Sequence, residues 1–88
     1  LLYGGNIPKD KNREKGCYLE PAIFENVTNN MRIAQEEIFG PVLSIIKFTK
    51  EQDAITMAND TRFGLASMVW TKDLTRANLI AKQLLCGT

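Results

Sequence analysis

From Pro41 to Leu85 the sequence alternates strand-like and helix-like runs, and that order constrains the fold more than any other feature of the chain. Pro41-Val42-Leu43-Ser44-Ile45-Ile46-Lys47-Phe48 is almost continuously apolar and β-branched. That is the pattern of a strand covered on both faces in an α/β sheet. A helix should follow, because Thr49 with Gln52 three residues later fits a capping box, and Glu51 and Asp53 suit the positive end of a helix dipole. Ala54, Ile55 and Ala58 supply its apolar face, and it should stop near Asn59-Asp60. Leu65 to Trp70, entered through Gly64, reads as a second buried strand. Thr71-Lys72-Asp73 offers a cap for a second helix, in which Leu74, Ala77, Ala81, Leu84 and Leu85, with Ile80 beside them, keep an amphipathic spacing that Gly87 closes as a C′ residue. Strand, helix, strand, helix implies parallel strands joined by right-handed crossovers. The fold class is therefore α/β, with a partial, mostly parallel sheet and flanking helices.

The first half is less regular. Leu1 to Tyr3 reads as the end of a strand stopping at the Gly4-Gly5 turn. Asn6 to Gly16 carries six charges and no apolar period, which predicts a solvated surface loop without a ligand. Cys17 to Val27 holds aromatic and β-branched residues around Pro21, so an edge strand, or two short extended pieces flanking the proline, fits better than a central strand. Thr28-Asn29-Asn30 is a polar break, and Met31 to Glu37 a short helical turn or irregular loop. In Gly40-Pro41 the proline fixes its own φ and pushes the residue before it toward extended backbone, so a strand should begin at Pro41 or Val42. This places two carboxylates, Glu36 and Glu37, and the ring of Phe39 on a tight turn at the mouth of that strand. Such a turn suits a binding group for a polyhydroxylated ligand.

Composition closes several alternatives. With 88 residues, 44% hydrophobic and 24% charged, the chain is globular in character and of single-domain size, though short enough to be only marginally stable by itself. A net charge of +1 gives no field for nucleic acid and no polybasic segment for a membrane. No apolar run approaches the roughly 20 residues that span a bilayer. Cys17 and Cys86 form no CxxC, and histidine is absent, which argues against a disulfide scaffold, a zinc site or a Cys–His dyad and for a reduced, cytoplasmic protein. The start at Leu1-Leu2-Tyr3 and the stop at Cys86-Gly87-Thr88 read as a piece cut from something longer at both ends.

Three ordered blocks, Tyr18 to Phe24, Met31 to Val42 and Ala58 to Leu65, together resemble the NAD(P)-dependent aldehyde dehydrogenase superfamily. Tyr18-Leu19-Glu20-Pro21-Ala22-Ile23-Phe24 is similar to its Y-x-x-P-T-x-F strand. Met31 to Val42 is similar to M-x-I-x-x-E-E-x-F-G-P-V, and Ala58-Asn59-Asp60-Thr61-Arg62-Phe63-Gly64-Leu65 to A-N-x-x-x-Y-G-L. Trp70 to Asp73 and the run from Arg76 to Thr88 fit the late strand and helix. The likeness covers nearly the whole chain, least well between Lys9 and Lys15, and implies that residues 1–88 are part of a catalytic domain.

The resemblance carries roles to two residues. Glu37 matches the glutamate that binds the nicotinamide-side ribose, where a carboxylate offers two acceptor oxygens to neighbouring hydroxyls. Phe39 matches the aromatic lying against the nicotinamide region. Apart from the resemblance, Glu37 reads as an ordinary solvated or paired acid and Phe39 as a packing aromatic, while Glu36 reads as structural, solvated or ion-paired. In such enzymes a cysteine attacks the aldehyde, the thiohemiacetal gives hydride to NAD or NADP, and a glutamate activates the water that hydrolyses the thioester. The positions matching that cysteine, that glutamate and the oxyanion-hole asparagine all precede Leu1. No catalytic or metal-binding residue is therefore expected here, and Cys17 and Cys86 should be buried small hydrophobes. The complete enzyme would act on an aldehyde and associate as a homo-oligomer; the piece alone would be inactive. The other class of reading is a small α/β module whose exposed strand edges pair with a partner.

Overall fold

Pro21 decides where the central strand begins. In a computed structural model, which describes residues 1–13 and 15–88, strand β2 (Ala22–Phe24) starts at the residue after it. Pro21 itself needs no N–H, because only its carbonyl is used, accepting from the Gly5 N–H at 3.3 Å. Strand β1 (Tyr3–Gly4) pairs antiparallel with β2, Tyr3 opposite Ile23 and Gly4 opposite Ala22. Strand β3 (Val42–Ser44) pairs parallel with β2 from Ala22–Val42 to Phe24–Ser44. The expectation of an edge strand around Pro21 is thus corrected: β2 lies in the middle of a three-stranded sheet of order β1-β2-β3. The sheet is mixed, not purely parallel. The β2–β3 link contains a helix, α1 (Arg32–Gln35), as parallel connections usually do.

The first compact unit, Leu1–Lys47, holds this sheet. Pro8, Ala22 and Val27 are its buried apolar residues among those described. Strand β3 starts at Val42 as expected but is shorter than Pro41–Phe48, since the ladder ends with the bond from the Ile45 N–H to the Phe24 carbonyl, 2.8 Å. Val42, Ser44 and Ile46 are half-buried while Leu43, Ile45 and Lys47 are exposed. Within this chain the strand is covered on one face, not two. In the charged loop Asp10 accepts from the Asn12 N–H and pairs with Arg13 at 3.1 Å; Glu14 lies outside the described residues.

The second unit, Phe48–Thr88, is built on two helices. Helix α2 (Glu51–Asn59) ends where expected, buries Ile55 and has Glu51 and Asp53 in its first turn. Its N-cap is Lys50 and no side chain caps it. The helix starts one residue too late for the Thr49–Gln52 capping box, which is therefore not made. Helix α3 (Leu74–Ala81) uses the predicted cap: the Asp73 carboxylate accepts from the Arg76 N–H at 3.0 Å. Arg76 also forms an ion pair with Glu51 of α2. The helix stops short of Leu85, and Gly87 is not its C′ residue. The chain tightens instead into a turn in which the Gln83 N–H bonds to the Ile80 carbonyl at 2.9 Å.

Leu65 to Trp70 does not form the second strand. Its neighbour in this unit is the segment ending at Thr88, joined to it by the Ser67 N–H on the Thr88 carbonyl at 2.9 Å and the Ser67 hydroxyl beside the Cys86 sulfur, with the Gly87 N–H on the Gly64 carbonyl, 2.9 Å, just ahead of the run. Trp70 is 87% exposed, so the run is not buried within this chain either.

Asn59, the last residue of α2, holds that closing segment in place. Its amide nitrogen donates to the Gln83 carbonyl and its oxygen accepts from the Leu85 N–H, both at 2.8 Å. Replacing it by Leu strands both backbone groups and is expected to destabilise by about 1–3 kcal/mol, water recovering part of each bond. Asn59→Asp keeps the acceptor and should lose less. The measurement is the thermal midpoint of the complete protein, and equal midpoints for the wild type and the two variants, Asn59→Asp and Asn59→Leu, would contradict the bridging role.

Candidate cofactor-facing turn

The site begins where α1 ends. Glu36 leaves the helix in extended backbone, φ −107°, with its N–H bonded to the Arg32 carbonyl at 2.8 Å. Its carboxylate takes the Arg32 guanidinium at two points, Nε at 2.8 Å and Nη2 at 3.0 Å. The hydrogen bond from Arg32 to Glu36, and then the charge of Glu36, raise the arginine pKa. Glu36 is therefore ion-paired, one of the two states expected for it.

Glu37 is exposed, and among the described residues nothing bonds its carboxylate. Phe39 stands out to solvent, 95% exposed, on left-handed backbone with φ 50°. A bulky residue at positive φ is uncommon and costs roughly 1–3 kcal/mol, and such conformers gather at functional sites. Gly40, before Pro41, has no positive φ; the left-handed residue of the turn is Phe39. Pro41 sits at the centre of a three-residue turn closed by the Val42 N–H on the Gly40 carbonyl, 2.8 Å, while its own carbonyl accepts from the Ala22 N–H at 2.8 Å and fastens the turn to β2.

A concavity of about 400 Å³ lies beside the turn, bordered by Ile33, Glu36, Phe39 and the Val42, Ser44 and Ile46 face. Phe39 borders it and Glu37 does not. The structure thus puts the two predicted groups on one turn without gathering them around one cavity. The acceptor oxygens of Glu37 are not already taken among the described residues, so its carboxylate can receive hydrogen bonds from hydroxyl donors beside an exposed ring.

The cysteines depart from expectation. Cys17 is exposed rather than buried, in irregular chain ahead of β2. Cys86 is half-buried, its sulfur 2.8 Å from the Ser67 Oγ and 3.2 Å from the Thr88 carbonyl. Short irregular segments leave both less covered than a β-core position would. Among the described residues, no three His, Cys, Asp or Glu side chains cluster as a metal site, and no helix is long and apolar enough to cross a membrane. Sequence reasoning missed Arg32 and Asn59. The i,i+4 spacing of Arg32 and Glu36 was a usable signal, whereas the partners of Asn59 lie 24 and 26 residues away and leave no local trace.

Residues 1–88 match the aldehyde dehydrogenase family throughout. The betaine aldehyde dehydrogenase of Mesorhizobium japonicum is 50% identical over 88 residues, all of this chain and 18% of that protein. The aldehyde dehydrogenase of Mycobacterium tuberculosis, solved as a complex with NAD+, superposes with a TM-score of 0.92 at 45% identity over 98% of this chain and 17% of its own. The betaine aldehyde dehydrogenase of Staphylococcus aureus in complex with NAD+ gives 0.94 at 41% identity, with the same coverage of 98% and 17%. The chain belongs to the aldehyde dehydrogenase family. It spans less than a fifth of the length of these relatives, at 18% of the first.

Proposed function

We propose that this chain supplies the nicotinamide-ribose side of the cofactor site in an enzyme that oxidises an aldehyde to a carboxylic acid, working as one part of its catalytic domain. NAD, when bound, would supply the hydride acceptor for the aldehyde, and water the second oxygen of the acid. Glu37 holds the ribose by accepting from its hydroxyls, and Phe39 stands as an apolar wall that positions the ring and keeps water from it. The relatives solved with NAD+ favour NAD over NADP. Two free cysteines agree with a reducing, cytoplasmic setting.

One observation carries this reading: an unengaged carboxylate two residues before an exposed aromatic on left-handed backbone, in a turn held at both ends. Neither group serves packing where it stands, and the strain at Phe39 presents its ring outward. The remaining work of catalysis belongs to residues outside this chain. The complete protein is expected to form NADH when given NAD+ and an aldehyde, and the purified 88-residue chain to form none. Aldehyde-dependent NADH from the chain alone, or none from the complete protein across short aliphatic, aromatic and quaternary-ammonium aldehydes, would refute the assignment.

A further inference from the structure

The turn that carries Glu37 and Phe39 is anchored twice, on one side by backbone alone and on the other by backbone and side chain together. On the far side it is fixed by Pro41, through the bond of its carbonyl with Ala22 and the start of β3. On the near side it is fixed by Glu36, which is joined to Arg32 by its N–H and by both carboxylate oxygens. Four residues, 37–40, span the gap. Glu37 is the first residue beyond the near anchor, so its backbone direction is set by Glu36. We propose that Arg32 is a positioning residue for the cofactor: by clamping Glu36 it fixes where the chain leaves α1 and thus where Glu37 presents its carboxylate. This rests on the ribose role proposed for Glu37.

The chemistry is specific to arginine. A guanidinium meets a carboxylate at two points and fixes its orientation, which a lysine ammonium does as a single point charge. The pair is solvent-exposed, with Arg32 at 88% side-chain exposure, so its contribution is modest and screened by salt. Its effect should appear in cofactor binding at low ionic strength and fade as salt is added.

The test is a double-mutant cycle in the complete enzyme, reading KM for NAD+, KM for the aldehyde and kcat. Arg32→Ala is expected to raise the NAD+ KM about two- to threefold, the scale of a good i,i+4 ion pair, with the aldehyde KM unchanged. Arg32→Lys should recover part of the loss. The exchange Arg32→Glu with Glu36→Arg rebuilds the pair in reverse and should restore the wild-type value. In a Glu37→Gln background, Arg32→Ala should add nothing, because the group it positions is already disabled. A full Arg32→Ala effect in that background, an effect shared equally by the aldehyde KM, or no effect of Arg32→Ala in the wild type would each overturn the proposal while leaving the ribose role standing. If Glu37→Gln alone leaves the NAD+ KM unaltered, the ribose role itself fails and this inference falls with it.

Discussion

Glu37→Gln in the complete enzyme is expected to raise the KM for NAD+ roughly tenfold to a hundredfold, the equivalent of losing one charge-assisted hydrogen bond of about 1.5–3 kcal/mol. The substitution keeps size and shape but removes the charge and turns one acceptor into a donor. A ribose hydroxyl that donated to the carboxylate then meets an N–H instead. The lower end of the range applies if the carboxylate stays as exposed as it is in this chain, since solvent screens it. The aldehyde KM should hardly move. Glu36→Gln is the internal comparison, because the Glu36 carboxylate is already engaged by Arg32 and its loss should matter several-fold less. Steady-state kinetics with NAD+ varied at saturating aldehyde measure the difference. An NAD+ KM within twofold of wild type for Glu37→Gln, or equal effects at the two glutamates, would remove Glu37 from the cofactor site.

Local signals in the sequence were reliable where the structure depends on neighbours in the chain. The Asp73 cap, the end of α2 at Asn59 and the start of β3 at Val42 all follow from residues within one turn of each other. The capping box failed by a single residue, because Lys50 and not Thr49 takes the N-cap position and propensity alone does not fix helix phase. Leu65 to Trp70 failed for a different reason. An apolar run declares that it will be covered but not by what, and a strand exists only where a ladder partner lies alongside. At the site, the separation of Glu36 from Glu37 was legible in part through the i,i+4 spacing to Arg32. The positive φ of Phe39 was not, because aromatic residues seldom adopt it and the Gly40-Pro41 pair speaks only for extended backbone at Gly40.

Gly4 should tolerate substitution far less than the glycine next to it, although both have positive φ, 72° at Gly4 and 76° at Gly5. A Cβ on Gly5 would meet only side-chain carbons, at 3.5–3.7 Å, which is ordinary contact. The cost of Gly5→Ala is then the backbone conformation alone, roughly 1–2 kcal/mol. A Cβ on Gly4 would lie 1.7 Å from the Pro21 carbonyl oxygen and 2.8 Å from its carbon. Backbone cannot turn aside as a side chain does, so β1 must move off β2 and give up the bonds from Leu2 to Ile23 and from Gly5 to Pro21, 2.7 and 3.3 Å. Gly4→Ala is therefore expected to destabilise by more than about 3 kcal/mol, among the larger single-residue effects. In the complete enzyme, apparent thermal midpoints compared at one scan rate should place Gly4→Ala well below Gly5→Ala, by about 4 °C or more at the few degrees per kcal/mol of a large domain. Matching midpoints would mean that β1 is not held against Pro21 in the way its register with β2 requires.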